Sequence, residues 1–144
     1  MPQFSQGALE KQPRAEVYEA GGPVMRAIRA EAMFFRPPGV SPDGDTGESQ
    51  YDVELRFRAF VEELLTPEEQ EGGQSGAGRP LTVLVFSHGI AIRSFLRGVL
   101  NADTKFVVRS ETENTSVTEL LYKPTAGDLG GWVLVRVNDA AHLR

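Results

Sequence analysis

The chain has 144 residues, of which 40% are hydrophobic and 24% are charged, a balance typical of one globular domain. It contains no cysteine and only two histidines, which excludes disulfide frameworks and thiolate or histidine-rich metal centres. A formal net charge of −5 argues against a general nucleic-acid or anionic-membrane binder.

The first residues of the chain carry neither the basic nor the apolar region of a signal peptide. No apolar run approaches the roughly 20 residues that span a bilayer. We therefore expect a cytoplasmic protein that has neither a membrane nor a nucleic acid as partner.

Two loops and two helices are predicted in the first part of the chain. Residues 36–47 and 71–80 are expected to be loops, because proline and glycine interrupt them repeatedly. Pro13–Tyr18 and Val24–Phe35 have helical periodicity and are separated by two glycines and a proline.

The clearest helix is predicted for Ser49–Leu65, whose apolar residues fall on one face. Ser49 can cap its start, and Pro67 ends it. Two ion pairs at i,i+4 spacing are predicted on its polar side, namely Asp52 with Arg56 and Glu54 with Arg58.

A buried strand followed by a helix is predicted next. Leu81–Ser87 is nearly all apolar, as is typical of a strand covered on both faces in a parallel sheet. His88 and Gly89 follow directly. Ile90–Leu100 then shows helical spacing, with Arg93 and Arg97 expected on its solvent side.

The last part of the chain predicts a β-hairpin. Thr115–Tyr122 and Trp132–Asn138 alternate well enough to form its two strands. Together with the buried strand that leads into a helix, this predicts an α/β layered fold.

Phosphate chemistry is possible where Leu81–Ser87 meets the following helix. Ligands collect at the carboxyl ends of strands in open α/β sheets, and the amides that open a helix favour an anion. His88 can donate a proton to a phosphate oxygen or attack phosphorus, and Gly89 lets a phosphoryl group approach the backbone. The residues alone leave open that His88 instead ends the strand and satisfies a buried carbonyl.

Other polar residues have simple structural explanations beside a functional one. Glu48 is favourable near a helix start because of the helix dipole. Asn114 can bind an anion, but turn chemistry explains it about as well. Arg109 is expected to face solvent, and His142, third from the end, is expected at the surface or in packing.

Four pieces of the chain agree, in order, with one family. They are Phe4–Gly7 with Leu9-Glu10; Gly47-Glu48-Ser49 with Asp52, Arg56 and Phe60; Leu81–Leu100; and Asn114–Leu120 with Trp132–Leu143. Taken in the same order, they resemble four parts of the phosphoglycerate mutase-like histidine phosphatase superfamily. These parts are the stretch after the catalytic acid, the Gly-Glu-Ser helix, the second histidine motif and the closing hairpin. The resemblance covers nearly the whole chain.

The resemblance implies a three-layer α/β/α fold with a mostly parallel sheet, and phosphoryl transfer through a phosphohistidine. His88 matches the second histidine, whose implied role is to bind and stabilise the phosphoryl group. Gly89 and Asn114 are our candidate phosphate-binding residues beside it, and Glu48 is assigned a supporting role behind the site. No cofactor and no metal ion are expected.

The chain also departs from the family pattern. No Arg-His-Gly, the motif of the attacking histidine, occurs in these 144 residues. Gln3 stands about where the catalytic acid falls, and glutamine cannot shuttle a proton. We therefore expect residues 1–144 to be a partial domain that lacks the N-terminal strands and is inactive by itself.

Two functions follow from these expectations. The first is a phosphomonoester phosphohydrolase or phosphomutase when complete, and the second is an inactive relative that binds a phosphorylated ligand or regulates another protein. The expected partner is a small phosphorylated metabolite or a phosphoprotein. A serine hydrolase or nucleotide binder is disfavoured, because the chain has neither a G-x-S-x-G elbow nor a P-loop.

Overall fold

The computed structural model describes residues 5–65, 82–123 and 131–144. The α-helices of these ranges are α1 (Arg14–Val17), α2 (Pro23–Glu31), α3 (Gln50–Leu65), α4 (Gly89–Val99) and α5 (Phe106–Arg109). The strands are β1 (Val117–Lys123) and β2 (Gly131–Asp139), and single 3-10 turns span Gly7–Leu9, Ala32–Phe34 and Ala141–Leu143. Within the described ranges, no helix is long and apolar enough to cross a membrane.

The helices predicted before residue 36 are confirmed, with shifted ends. α2 begins at Pro23, which suits the first helical position because the amide there has no helical partner. The helix ends at Glu31 and continues as the 3-10 turn to Phe34. Between α2 and α3, residues 36–47 carry one isolated bridge, Val40 with Thr46. The loop predicted at 71–80 lies outside the described residues.

Ser49 caps α3 as the sequence predicts. The Ser49 hydroxyl accepts a hydrogen bond from the Asp52 amide at 3.1 Å, and the Asp52 carboxylate accepts one from the Ser49 amide at 2.7 Å. This reciprocal arrangement satisfies two amides that the helix start leaves unpaired. Burial acts to raise the pKa of Asp52, but hydrogen bonds from Ser49 and the charge of Arg36 outweigh it and hold the pKa below its ordinary value.

The two i,i+4 ion pairs predicted on α3 are wrong. Asp52 binds Arg36 instead, at 2.7 Å, and Glu54 binds Arg97 of α4. Glu54 pairs with Arg97 in the interior, where burial strengthens a charge pair more than on an exposed helix face. Asp52 pairs with the exposed side chain of Arg36, which lies on the preceding segment.

The Glu54–Arg97 pair joins the two long helices in the interior. Two guanidinium nitrogens of Arg97 each contact one carboxylate oxygen at 2.5 Å, and a third donates to the Ala102 carbonyl at 3.2 Å. The Glu54 side chain is 1% exposed and that of Arg97 is 14% exposed. A Cβ added at Gly98 would overlap the Glu54 carboxylate, so this glycine lets the helices approach.

The hydrophobic core lies between α3, α4 and the hairpin. Its buried members are Val53, Phe57, Val61, Ala91 and Phe95, with Leu120 and Trp132 packed against them. The Phe57 and Phe95 rings stack at 4.7 Å, and the Trp132 ring meets Phe95 edge-on at 5.7 Å. Phe95 therefore connects all three elements.

The predicted hairpin is confirmed. β1 and β2 pair antiparallel, with Leu120 opposite Leu134 and Tyr122 opposite Trp132. Register shifts lie on both sides of Glu119. These two strands form the sheet of the described residues. The described ranges therefore contain both helices and strands, as an α/β fold does. The sheet is antiparallel and two-stranded, whereas the sequence predicts a mostly parallel sheet.

The buried strand predicted for Leu81–Ser87 is wrong for the part that the structure describes. Residues 82–88 belong to neither helix nor strand, and Leu84 and Phe86 are 80% and 85% exposed. A strand needs a neighbour to complete its backbone hydrogen bonds. No strand of the described ranges lies beside this segment to supply them.

Candidate functional site

The candidate site begins where the irregular segment 82–88 enters α4. His88 is the N-cap residue, with an extended backbone (φ −105°, ψ 153°), and its carbonyl accepts the first helical hydrogen bond from Ile92 at 3.0 Å. No side chain caps this end, and the first turn contains no acidic residue. The amides of residues 89–91 therefore give the start of α4 a partial positive charge that no capping side chain offsets.

The His88 side chain is exposed at this helix start. His88 does not belong to the hydrophobic core. Its exposure argues against the alternative in which the imidazole hydrogen-bonds to a buried carbonyl. The ring is accessible to a ligand beside the free amides. A phosphoryl group placed there would meet backbone N–H donors and an imidazole together.

The segment before the hairpin packs against the start of α4. A Cβ built on Gly89 would lie 3.5 Å from the Cβ of Thr112, which is an ordinary packing distance. Protein neighbours therefore do not require glycine at this position. The role predicted for Gly89, close approach of a phosphoryl group to the backbone, stays a prediction.

Arg93 holds these two segments together. Its Nε donates to the Gly89 carbonyl at 3.1 Å, and its Nη1 donates to the Ser110 carbonyl. Burial lowers the pKa of the Arg93 guanidinium, and the charge of Glu111 acts in the opposite direction. An arginine starts from so high a pKa that the group stays charged at neutral pH.

Asn114 lies in a turn close to this contact. The turn spans residues 113–116, with the Ser116 amide donating to the Glu113 carbonyl at 3.2 Å. The Glu113 amide donates to the Asn138 side chain at 2.7 Å, which fixes the turn on β2. Asn114 is exposed and only two residues beyond Thr112, a chain length of about 7 Å. The structure thus places His88, Gly89 and the segment that leads to Asn114 at the start of α4, and a role for Asn114 beside His88 stays a prediction.

Glu48 has a structural task, and the supporting role predicted for it stays a prediction. Its carboxylate accepts hydrogen bonds from the Ser5 amide at 3.1 Å and from Arg56 Nε at 3.0 Å. The Glu48 amide donates to the Ser5 carbonyl at 3.0 Å. Glu48 thereby ties the first described residues to α3. Among the described residues, no hydrogen bond or ion pair joins it to His88 or Asn114.

The contacts of the two arginines of α4 are not predicted by the sequence. Arg93 and Arg97 are expected to face solvent, but both side chains are partly buried and hydrogen-bonded to other segments. Helical spacing identifies the polar side of a helix correctly. It does not show which distant carbonyl or carboxylate will lie against that side, so the sequence held no signal for these contacts.

The second histidine lies near the turn that carries Asn114. His142 Nε2 is 3.4 Å from the Thr115 hydroxyl, and the imidazole is exposed. This agrees with the surface position expected for it. No group of three or more histidine, aspartate or glutamate side chains that could hold a metal ion is present within the described ranges.

A cleft of about 410 Å³ lies away from this site. Ser5, Glu10, Arg14 and Tyr18 are among the residues that line it, and neither His88 nor Asn114 is. Burial raises the pKa of the Tyr18 phenol, although the charge of Arg14 acts to lower it. The cleft mixes acidic and basic side chains, so it is less suited to a phosphoryl anion than the start of α4.

Comparison with protein families gives one match that spans most of the chain. The model of the histidine phosphatase superfamily (branch 1) matches residues 3–140. Comparisons with curated proteins and with solved structures gave no match. The matched range includes both the α4 start and the hairpin.

Proposed function

Because the chain belongs to the histidine phosphatase superfamily, we propose that it binds phosphoryl groups at the start of α4, with His88 as the phosphoryl-binding histidine. The reaction of the complete protein is then that of a phosphomonoester phosphohydrolase or phosphomutase. The substrate class is a small phosphorylated metabolite or a phosphoprotein. A cytoplasmic location and a three-layer fold with a mostly parallel sheet belong to the same proposal.

The observation that carries the proposal is the exposed His88 at an uncapped helix start. α4 has 11 residues, and its first amides have no side-chain cap. Three oxygens of a phosphoryl group accept hydrogen bonds from such amides, and the helix dipole favours their charge. An N–H of the His88 imidazole can add a hydrogen bond from the adjacent residue.

The same groups would act during phosphoryl transfer. Charge on the transferring group is spread over its equatorial oxygens, and catalysis consists mainly of holding that group and stabilising its charge. In this proposal, His88 and the α4 amides do this. Asn114 supplies a further donor from the turn on the hairpin side.

A second candidate is a phosphate-binding relative without catalysis. Its support is the sequence itself, since no Arg-His-Gly occurs in these 144 residues and Gln3 stands about where the resemblance places the catalytic acid. Loss of a covalent nucleophile typically costs on the order of 10⁶ in rate. The chain by itself is then expected to bind phosphate without turning it over.

Replacing His88 should weaken phosphate binding. A hydrogen bond to a charged group contributes about 1.5–3 kcal/mol, so His88→Ala, which removes the donor, is expected to lower the affinity for inorganic phosphate by roughly 10- to 150-fold. Isothermal titration calorimetry at low salt, where screening of the anion is weakest, measures this directly.

The matched control is His142→Ala, which removes the other histidine and should leave the phosphate affinity unchanged. Circular dichroism checks that both variants fold. Equal affinities for wild type and His88→Ala, or no phosphate binding by the wild type, would show that the proposed site is wrong.

Hydrolysis of an aryl phosphate separates the two candidates. A rate at background supports the binding role for this chain. Turnover that His88→Ala abolishes supports the enzyme and removes the second candidate.

A further inference from the structure

The inference concerns Arg93, whose guanidinium spans two segments that are far apart in sequence. Its Nε donates to the Gly89 carbonyl in the first turn of α4, and its Nη1 donates to the Ser110 carbonyl. Thr112, two residues further on, is the side chain that packs against Gly89. Arg93 thus forms a bridge of two hydrogen bonds between the start of α4, next to His88, and residues 110–112.

We infer that Arg93 is a positioning residue for the phosphate site: it holds residues 110–112 against the start of α4 and so fixes the segment that leads to Asn114. This inference rests on the proposed function. Arg93 itself need not touch the phosphoryl group. It acts through the backbone of Gly89 and of the segment that leads into the Asn114 turn.

The chemistry of this bridge favours arginine over lysine. The two acceptors are separate backbone carbonyls on different segments. A planar guanidinium presents donors in several fixed directions, whereas a lysine ammonium is a compact charge on a flexible stem. Half-burial strengthens both hydrogen bonds, because water competes for them less.

The position of the charge also points to an anion. Arg93 lies in the second turn of α4, near the end that already carries positive partial charge. A positive charge near this end opposes the helix dipole and so does not stabilise the helix. The same charge attracts a negative ligand bound at the start of α4. Glu111 is the acidic group whose charge acts on Arg93, and it lies on the bridged segment.

Arg93→Lys tests the inference, with Arg109→Lys as the control at the exposed end of α5. The full chain labelled with ¹⁵N and ¹³C is titrated with inorganic phosphate and followed by NMR. In the wild type, phosphate should shift the His88 imidazole and the Asn114 amide together. In Arg93→Lys the Asn114 response should be lost while the His88 response persists, and the affinity should fall about tenfold because one donor is misplaced.

This split between two responses separates positioning from general loss of structure, which would reduce both. An NOE between Gly89 Hα and Thr112 reports the bridge independently of any ligand, and it should weaken in Arg93→Lys and persist in Arg109→Lys. Unchanged affinity and unchanged responses in Arg93→Lys would overturn the inference and leave the proposed function intact.

If the wild type does not respond to phosphate at all, the proposed function is wrong, and the positioning role for phosphate is lost with it. The NOE between Gly89 and Thr112 then shows only whether Arg93 holds residues 110–112 against the start of α4. An NOE that persists in Arg93→Lys shows that Arg93 does not hold the segment.

Discussion

Replacing Glu54 by alanine is expected to destabilise the protein by about 3–5 kcal/mol. The Glu54 carboxylate is 1% exposed and contacts Arg97 through both oxygens. Removal of one partner of a buried ion pair leaves the other charge in the interior without compensation. Urea unfolding followed by circular dichroism gives the change in free energy of unfolding.

Two variants sharpen this prediction. Glu54→Met combined with Arg97→Met should recover most of the loss, because an apolar pair removes both buried charges. Asp43→Ala breaks an exposed pair with Lys11 and should cost less than about 0.5 kcal/mol. A cost below about 1 kcal/mol for Glu54→Ala would show that this ion pair is not buried as described.

Phe95→Ala is expected to cost about 3–5 kcal/mol, because it removes the ring that joins α3, α4 and the hairpin. Phe95 is 5% exposed, stacks on Phe57 and meets Trp132 edge-on. Trp132 is the single tryptophan of the chain, so its fluorescence should also report the loss. Urea unfolding of the variant measures the energy.

Phe86→Ala is the matched control for the same side-chain change. Phe86 is 85% exposed, so the variant should stay within about 0.5 kcal/mol of the wild type. A cost for Phe86→Ala as large as that for Phe95→Ala would contradict the structure. It would instead support the buried strand that the sequence predicts there.

Local patterns in the sequence were enough to predict most helices and the hairpin. The helical spacing of α3 and α4, the Ser49 cap and the alternation in β1 and β2 depend on residues a few positions apart. Periodicity and capping therefore report them directly. The ends moved by only a few residues, since helix termini depend on details of hydrogen bonding.

The strand predicted at Leu81–Ser87 shows where such patterns fail. An apolar, β-branched run favours a buried strand only if neighbouring strands complete its hydrogen bonds. Such neighbours are contributed by other parts of the fold, which a local pattern does not contain. The described residues of this segment accordingly remain irregular, and residues 82–86 are exposed.

The candidate site was predictable in part for the same reason. His88 and Gly89 are adjacent to a helix start that periodicity locates, so their place follows from the sequence. The bridge from Arg93 to Ser110 joins residues 17 positions apart, and the pair of Glu54 with Arg97 joins residues 43 apart. Such partners are fixed by packing, and spacing along one helix does not reveal them.

Binding of a phosphoryl anion at the start of α4, as we propose, is tested most directly by a ¹H–¹⁵N correlation spectrum recorded during titration with inorganic phosphate. We expect the largest shifts on the amides of Gly89, Ile90 and Ala91, with saturation as phosphate is added. Shifts confined to the cleft around Arg14 and Tyr18, or none at the start of α4, would contradict it.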